Sequence, residues 1–252
     1  MLELIEITAR FDGVTALSEV SFSLGEGEFL GLIGPNGAGK TTTLNAISRL
    51  YEPASGDIRL GGESLLHRAP HEVIRAGIVR TFQNLALCPR LSVEDNVMLG
   101  GLWRSDCGAL SYWFGTPRSR AAARQFRAIA RDAMAAIGIG HLAHSPVASL
   151  SYGARRRVEL ARCLCAQPRL MLLDEPASGL TDDEASDLVE LLKGLRNSHG
   201  LSLIVIEHHL DVVMALSDRV VVLDGGKVIA QGPPDEVSRD PHVVEAYLGA
   251  GA

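Results

Sequence analysis

The chain opens with short runs in which apolar and polar positions alternate. The runs "LELIEI", "VSFSL" and "FLGLIG" are separated by the turn sequences "DG" and "GEG". Alternation with a period of two predicts strands, and the largely apolar third run predicts a buried one. A helix is predicted directly afterwards, from Gly39 to about Leu50.

Residues 84–149 lose the strand pattern and take on a helical one. In "SRAAARQFRAIARDAMAAIG" the apolar side chains share one helical face: Phe126, Ile129, Ala130, Ala133 and Ile137. The arginines form the opposite stripe: Arg120, Arg124, Arg127 and Arg131. We interpret the stripe as a solvated face, with proximity to lipid headgroups or to an acidic partner as the alternative. The segment is expected to be a helical lobe inserted into a strand-rich domain.

Beyond residue 149, buried strands and helices alternate regularly. The strands "RLMLLDEP" and "SLIVIE" are followed by helices at residues 182–196 and 209–216, and "RVVVLDGGKVIAQG" is typical of a hairpin. Such alternation predicts an α/β fold with a mainly parallel sheet covered on both faces. We therefore expect one domain over residues 1–252, with its core in 1–83 and 150–252 and a helical insertion at 84–149.

Composition restricts the possible partners. The 252 residues are 46% hydrophobic and 21% charged, which is ordinary for a globular chain, and the net charge of -6 argues against general nucleic-acid binding. No run approaches the roughly 18 uncharged apolar residues of a membrane helix. Acidic residues in the first apolar stretch argue against a secretory signal, and the four cysteines lack C-x-x-C spacing. Any association with a membrane is therefore expected to be peripheral, and the thiols reduced.

The octapeptide "GPNGAGKT", residues 34–41, fits G-x-x-x-x-G-K-[ST] between a strand and a helix. Its glycines allow backbone N–H groups to surround phosphate oxygens at the positive end of the helix dipole. Lys40 can reach the outer phosphates, and the Thr41 hydroxyl can bind Mg²⁺. The predicted nucleotide-binding residues are Gly34, Pro35, Asn36, Gly37, Ala38, Gly39, Lys40, Thr41 and Thr42.

The strand "LMLLDEP" ends in two carboxylates, as the second half of such a site requires. Asp174 is expected to hold Mg²⁺ directly or through water. Glu175 is expected to polarise the water that attacks the γ-phosphate of ATP.

These motifs resemble those of ATP-binding-cassette ATPases, and the resemblance covers nearly the whole chain. It implies a P-loop NTPase fold with a RecA-like core, an N-terminal antiparallel β-subdomain and an inserted α-helical subdomain. It also implies further roles, which fall on Gln83 of "RTFQN", His208 of "VIEHH" and Phe11 of "RFDG". Gln83 would sense Mg²⁺ and the γ-phosphate, and His208 would contact the γ-phosphate. Phe11 would stack on adenine, although an aromatic residue in such a turn can also simply pack.

The segment "LSYGA", residues 150–154, takes the place of the family's L-S-G-G-Q signature. Ser151 and Gly153 are retained, whereas Tyr152 and Ala154 depart from the pattern. In this family the signature meets ATP held by an opposite subunit, so the resemblance implies a head-to-tail dimer of two ATPase subunits. Thr181 also departs, since an acidic or amide residue is usual there, and this leaves the coupling between the two sites in question.

Several features resemble the ATPase subunits of branched-chain amino acid importers: "GIVRTFQN", the tyrosine of "SYG", "IEHHLDVVMALSDRVVVL" and the ending "PHVVEAYLG". The implied partners are a second cassette, identical or sister, two integral-membrane permeases and, indirectly, an extracytoplasmic solute-binding protein. The implied location is the cytoplasmic face of the inner membrane. Alternatives are a urea or amide importer, a lipopolysaccharide exporter, a soluble cassette in DNA repair or translation, and a regulator that no longer hydrolyses ATP.

The segment before the arginine-striped helix carries an aromatic cluster, consisting of Trp103, Tyr112, Trp113 and Phe114. Such a cluster more often fills a local core than binds a partner. A lobe that must grip a membrane subunit is nevertheless a reasonable place for it, so contact with the permease stays open as the second interpretation.

Overall fold

The structure, a computed structural model, describes residues 1–11, 13–81, 85–105, 113 and 116–249. The chain forms two compact units: Met1–Arg80 with Arg169–Ala252, and Thr81–Pro168. The strands are β1 (Leu2–Phe11), β2 (Val14–Leu24), β3 (Phe29–Ile33), β4 (Ser55–Leu60), β5 (Glu63–Ser64), β6 (Ile78–Arg80), β7 (Leu170–Asp174), β8 (Ser202–Ile206), β9 (Arg219–Asp224) and β10 (Lys227–Gly232). The helices are α1 (Lys40–Ile47), α2 (Val93–Met98), α3 (Pro117–Ala136), α4 (Tyr152–Cys165), α5 (Asp182–His199), α6 (Leu210–Leu216), α7 (Pro234–Val237) and α8 (Pro241–Gly249).

The larger sheet of the first unit has the strand order β10-β9-β3-β8-β7-β6. Strands β9, β3, β8, β7 and β6 are parallel, and β10 is antiparallel at the edge. All five residues are buried in each of β3, β7 and β8. Continuous apolar runs are what a parallel sheet covered on both faces requires, so the α/β class follows from the strands themselves.

The smaller sheet is antiparallel, with the order β2-β1-β4-β5. Buried and exposed positions alternate along β2, as expected for a sheet with one face on the core. The buried face contributes Leu2, Ile7, Leu17 and Ile58 to the same apolar cluster as Leu44 of α1 and Leu172 of β7. The N-terminal strands therefore share one core with the parallel sheet.

The hairpin predicted at Asp-Gly-Gly connects β9 to β10. Asp224 pairs with Lys227, and the two central residues, Gly225 and Gly226, both have positive φ, at 50° and 79°. Positive φ at both central positions suits a two-residue hairpin turn, which is why glycine is favoured there. The Gly226 N–H also donates to the Ala38 carbonyl at 3.2 Å, so the hairpin supports the loop before α1.

The second unit is helical over its described residues. Its core includes Val97 of α2, Phe126 and Ala130 of α3, and Val158 of α4, and all of these are buried. Ile137 is also buried, in agreement with the predicted apolar face. Among the described residues of the chain, no helix combines the length and apolarity that crossing a bilayer requires.

The arginine stripe of α3 is exposed, but half of it has an acidic partner within the same unit. Glu94 of α2 is only 6% exposed, and its two carboxylate oxygens lie 3.1 Å from Arg127 and 2.7 Å from Arg131. A buried carboxylate needs such partners to offset the loss of its hydration. The ion pairs of these two arginines therefore connect α3 to α2, although the arginine side chains are also exposed to solvent.

Candidate functional site

The phosphate loop, residues 34–41, joins the buried strand β3 to α1. Gly34 has φ of 146°, and a β-carbon there would overlap the carbonyl oxygen of Leu223 in β9. Gly39 has φ of 102°, and a β-carbon there would lie 2.6 Å from the Leu17 side chain. Both positions therefore require glycine, for conformation and for space. The main chain of the loop is wedged between β9 and β2, while Asn36, Gly37 and Thr41 are exposed on its outer side.

Lys40 is held by the loop that it belongs to. Its Nζ donates to the carbonyl oxygens of Gly34 at 2.7 Å and Pro35 at 2.9 Å, and the residue is 6% exposed. Burial lowers the pKa of Lys40, while the negative charges of Glu175 and Asp174 act in the opposite direction. The ammonium group is thus positioned over the loop before any phosphate arrives.

Asp174 is the last residue of β7 and is almost completely buried. Its Oδ2 lies 2.8 Å from a guanidinium nitrogen of Arg80, the last residue of β6. A second nitrogen of Arg80 donates to Oδ1 of Asn45 in α1 at 2.6 Å. Since β6 and β7 are parallel neighbours, their carboxyl ends bring the two side chains together, and Arg80 links the carboxylate to α1.

Glu175 and His208 also meet at this edge of the sheet. Asp174 pairs with Ile206 in the β7–β8 register, and the Glu175 N–H donates to the Ile206 carbonyl at 2.9 Å. Glu175 Oε1 lies 3.0 Å from Nε2 of His208. Glu175 has φ of 51°, which is uncommon for a residue other than glycine, although Glu6, Glu19, Arg49 and Gln167 also have positive φ.

His209 is exposed, as His208 is, and it directly precedes α6. Within the described part of the chain, no group of three or more His, Cys, Asp and Glu side chains is arranged to hold a metal ion. The adjacent histidines are therefore not explained by a metal site of that kind.

Comparisons with known proteins agree with this geometry. The family described as "ABC transporter" matches residues 17–178. The chain is 36% identical to the high-affinity branched-chain amino acid transport ATP-binding protein BraF of Pseudomonas aeruginosa, over 99% of this chain and 98% of that protein. It is 39% identical to LivG of Salmonella typhimurium, a protein of the same description, over 95% and 94% of the two chains.

The chain belongs to the ABC transporter family.

Solved structures confirm the predicted fold of this ABC cassette. A nucleotide-free ATP-binding cassette from an ABC transporter superposes with a TM-score of 0.86 at 27% identity, over 98% of both chains. A dimeric cassette in a post-hydrolysis state, bound to ADP and Pi, superposes with a TM-score of 0.78 at 25% identity, over 93% of this chain and 99% of that one. The family described as "Branched-chain amino acid ATP-binding cassette transporter" matches residues 227–252. The cassette is accordingly an ATP-binding ATPase subunit, as predicted.

Phe11, the predicted adenine platform of the cassette, is the last residue of β1 and is 41% exposed. Its ring centroid lies 4.3 Å from that of Tyr51, with the planes tilted by 40°. The Tyr51 hydroxyl in turn donates to the Arg10 carbonyl at 2.7 Å. Phe11 is thus packed on one side and open on the other, and stacking on a base stays a prediction.

The signature segment of the cassette lies in the second unit, at the start of α4. Ser151 is the N-cap of this helix, and its hydroxyl accepts the Ala154 N–H at 3.3 Å. Tyr152 lies under the guanidinium group of Arg156, at 5.5 Å, and Arg156 is paired with Glu159 at 3.1 Å. The aromatic departure from the family pattern thus has a local partner, and Arg156 is buried inside the unit.

Thr181, the other departure from the cassette pattern, is the N-cap of α5. Its hydroxyl accepts the Glu184 N–H at 3.3 Å, and the Glu184 carboxylate accepts the Thr181 N–H at 3.0 Å. This reciprocal pair is a capping box, which needs a short hydroxyl side chain at the first position and a carboxylate or amide at the fourth. The start of α5 therefore gives Thr181 a role within this chain.

Some predicted residues fall outside the described part of the cassette. Gln83, Tyr112 and Phe114 are among them, so their predicted roles stay predictions. In the same aromatic segment, Trp113 is 86% exposed and Trp103 is partly buried.

Sequence reasoning missed three residues that the structure places in or beside the phosphate-loop site. Arg80 opens "RTFQN", three residues before the predicted glutamine, and that proximity was the available signal. Glu207 is a carboxylate directly after the buried apolar strand β8, in the position that Glu175 has relative to β7. Tyr247 belongs to the ending "AYLG", and its hydroxyl accepts the Gly34 N–H at 3.0 Å.

Proposed function

We propose that this cassette is the ATP-hydrolysing subunit of an importer of branched-chain amino acids. The observation that carries the proposal is the C-terminal segment, because residues 227–252 match the family specific to such transporters. The near full-length identity with BraF and LivG supports the same assignment. In the structure this segment supplies β10 and α8, and α8 reaches the phosphate loop through Tyr247.

The nucleotide site is formed by the phosphate loop, the ends of β7 and β8, and Phe11. Backbone N–H groups of residues 34–41 surround the phosphates, and Lys40 exchanges its two carbonyl partners for phosphate oxygens. Phe11 stacks on the adenine with its open face. The buried loop backbone keeps these donors in place before ATP binds, so little reorganisation is needed.

The residues present also fit a magnesium ion. The exposed hydroxyl of Thr41 and the carboxylate of Asp174 offer the oxygen ligands that Mg²⁺ prefers. The predicted contact of Gln83 with Mg²⁺ rests on the family resemblance, because Gln83 lies outside the described residues. When bound, Mg²⁺ neutralises charge on the β- and γ-phosphates. Arg80 fixes one oxygen of Asp174, and thereby the orientation of the carboxylate.

Hydrolysis then depends on Glu175 and His208. Glu175 accepts a hydrogen bond from the attacking water and orients it toward the γ-phosphate. His208 contacts the γ-phosphate and, through Nε2, holds the Glu175 carboxylate 3.0 Å away. Together the two side chains position the nucleophile without forming a covalent intermediate.

The site is completed by a second cassette in a head-to-tail dimer. Ser151 and Gly153 of the opposite subunit approach the γ-phosphate, using a hydroxyl and the start of α4. A solved dimer of a related cassette supports this arrangement. Closure and reopening of the dimer move two integral-membrane permeases, so the protein acts at the cytoplasmic face of the membrane. A solute-binding protein delivers the amino acid to the outer side.

The activity is tested with Glu175→Gln in the purified protein. We expect hydrolysis to fall by about 10²–10⁴-fold, because the water loses its base, while ATP binding and ATP-dependent dimerisation persist. Radiolabelled phosphate release and size-exclusion chromatography measure these quantities. An unchanged rate would remove Glu175 from the mechanism and favour a regulator or another base.

The substrate is tested by co-purifying the cassette with its permeases and reconstituting them in vesicles with the binding protein. ATP-dependent uptake of leucine, isoleucine or valine is the expected result. Uptake of urea or short amides instead, or outward transport of lipopolysaccharide, would overturn the substrate while leaving the ATPase assignment intact. Failure to co-purify with any permease would favour a soluble cassette.

A further inference from the structure

Glu207 is a buried carboxylate beside the hydrolytic pair. It follows β8 directly, precedes His208 in the chain and is 2% exposed. An ionised carboxylate out of water is unfavourable unless hydrogen bonds replace its hydration. Its presence there calls for specific partners.

Both oxygens of Glu207 accept backbone N–H groups. Oε1 accepts from Ala177 at 2.6 Å, and Oε2 accepts from His208 at 3.2 Å. Ala177 lies two residues beyond Glu175, in the loop that leaves β7. The Glu207 carboxylate therefore connects the loop after Glu175 to His208, which itself contacts Glu175.

The loop that contains Glu175 is attached to the end of β8 by two hydrogen bonds. The Glu175 N–H donates to Ile206 at 2.9 Å, and the Ala177 N–H donates to Glu207, so the chain on either side of Glu175–Pro176 is fixed to the end of β8. Glu175 also holds φ of 51°, a conformation that persists only where neighbouring contacts enforce it. Without the second attachment, the turn at Glu175 would be free to relax.

We propose that Glu207 is a positioning residue of the ATPase, which holds Glu175 and His208 at their working separation through the Ala177 and His208 backbone. Glu207 does not touch the nucleotide, and its role rests on the proposed function of Glu175 and His208 in hydrolysis. Two acceptor oxygens on one side chain are required, because both partners are donors. A glutamine of the same shape offers one acceptor and one donor, so it satisfies only one of the two N–H groups.

The electrostatics around Glu207 are consistent with this role. Burial raises the pKa of Glu207, and the nearby negative charge of Glu175 acts in the same direction. The hydrogen bonds from Ala177 and His208 and the charge of His209 oppose this rise in pKa without cancelling it. The N–H bonds thus stabilise the ionised form, which is the form that accepts at both oxygens.

The first experiment compares Glu207→Gln with wild-type full-length protein. We expect kcat for ATP hydrolysis to fall by about 10- to 100-fold, since displacement of catalytic groups by about 1 Å has effects of this size. The KM for ATP and the Kd of a fluorescent ATP analogue should stay unchanged, because the phosphate loop is not involved. Equal losses in binding and turnover, or an unchanged kcat, would overturn the proposal.

Asp218→Asn is the matched control. Asp218 also accepts a backbone N–H, from Phe29 at 2.8 Å, and pairs with Arg196. It lies at the end of the sheet where β3 and β9 begin, opposite to the end that carries Glu175 and His208. Its side chain is 41% exposed, so Asp218→Asn controls for the loss of a carboxylate that accepts a backbone N–H away from the site, and kcat should be unchanged. A fall in kcat equal to that of Glu207→Gln would show a general effect of lost carboxylates.

A double-mutant cycle separates positioning from support of the fold. In a His208→Ala background the Glu175–His208 contact is already gone and only the attachment through Ala177 remains to position Glu175, so Glu207→Gln should reduce kcat by a smaller factor than in wild type. The same factor in both backgrounds would overturn the proposal. Should the Gln variant fail to fold in thermal unfolding, Glu207→Asp replaces it, since it keeps both oxygens but withdraws them by one methylene. The same expectations apply to it.

These results are independent of the transported substrate. Loss of turnover in Glu207→Gln together with absent amino acid uptake by the wild-type transporter would refute the importer assignment and keep the positioning role. Normal turnover in the variant together with normal amino acid uptake by the wild-type transporter would refute the positioning role and keep the importer assignment. A wild-type protein that does not hydrolyse ATP would overturn both.

Discussion

The helices that open the two predicted halves of the ATP site, α1 and α4, start in different ways. Gly39 precedes α1 and has no side chain that could occupy the first N–H groups of the helix. Ser151 precedes α4, and its hydroxyl already accepts the Ala154 N–H. The first helix therefore presents its donors to a phosphate on the same chain, whereas the second keeps one of them satisfied by its own cap.

The difference fits the two tasks proposed for them. The phosphate loop is proposed to bind nucleotide within one subunit, and its backbone packs against β9 and β2 while the first N–H groups of α1 have no side-chain cap. In the proposed dimer the signature segment meets ATP only when a partner binds, and in the single chain the Ser151 cap stabilises α4. A phosphate from the partner has to share Ser151 with the helix, which makes this contact conditional on dimer closure.

Lys40→Ala should have the largest effect on the phosphate-loop half. An arginine finger on a transferring phosphoryl group is worth roughly 10³–10⁵ in rate, and by analogy we expect loss of the Lys40 charge to lower kcat/KM for ATP hydrolysis by about 10³-fold. Phosphate release and nucleotide binding measure the loss. Lys193→Ala is the control, because Lys193 forms an exposed pair with Glu190 and should leave the rate unchanged. Retained ATP binding with normal turnover would contradict the proposed role of the loop.

Arg80→Met tests how much the buried Arg80–Asp174 ion pair stabilises the phosphate-loop half of the site. Removing one member of a buried ion pair leaves an uncompensated charge, so we expect the free energy of unfolding to fall by about 3–5 kcal/mol. Arg80 and Asp174 have side chains only 7% and 2% exposed, whereas Arg169 and Glu26 form a pair at 59% and 76% exposure. Arg169→Met should therefore change stability by less than about 1 kcal/mol. Equal losses in urea denaturation would contradict this ranking.

The strands and the phosphate loop could be predicted from the sequence because their signals are local. The buried runs of β3, β7 and β8 and the spacing of residues 34–41 each occupy a few consecutive residues. The alternating pattern of β2 and the turn at Gly225–Gly226 were readable for the same reason.

The supporting contacts could not be predicted, because they join residues that are distant in sequence. Arg80 meets Asp174 across 94 positions and Tyr247 meets Gly34 across 213. No periodicity specifies such pairs; they follow from which strands become neighbours, and the order β3-β8-β7-β6 is fixed only by the folded sheet. The acidic partner of Arg127 and Arg131 could not be predicted for the same reason, since Glu94 belongs to another helix.

Ser151→Ala tests whether Ser151 serves only as the N-cap of α4 or also contacts the phosphate of a partner subunit. Loss of the N-cap should lower stability by about 1 kcal/mol, and loss of a hydrogen bond to a charged phosphate should lower dimer-dependent hydrolysis by about tenfold. Ser92→Ala is the control, because Ser92 caps α2 in the same unit by accepting the Asp95 N–H at 3.1 Å. Both variants should lose similar stability, and only Ser151→Ala should lose activity. Equal activities in the two variants would limit Ser151 to capping.

Tyr247→Phe should have the smallest effect, and it tests whether α8 contributes to the phosphate loop. The variant removes one neutral hydrogen bond, from the Gly34 N–H at 3.0 Å, and this is worth about 1 kcal/mol, which corresponds to a rise in the KM for ATP of about fivefold or less. The phenylalanine ring still lines the apolar pocket that Ile33 and Val243 also line, so thermal stability should change little. Tyr247→Ala loses both the hydroxyl and the packing. If the alanine variant raises the KM while the phenylalanine variant leaves it unchanged, α8 supports the loop through packing alone, and the hydroxyl contact has no part in nucleotide binding.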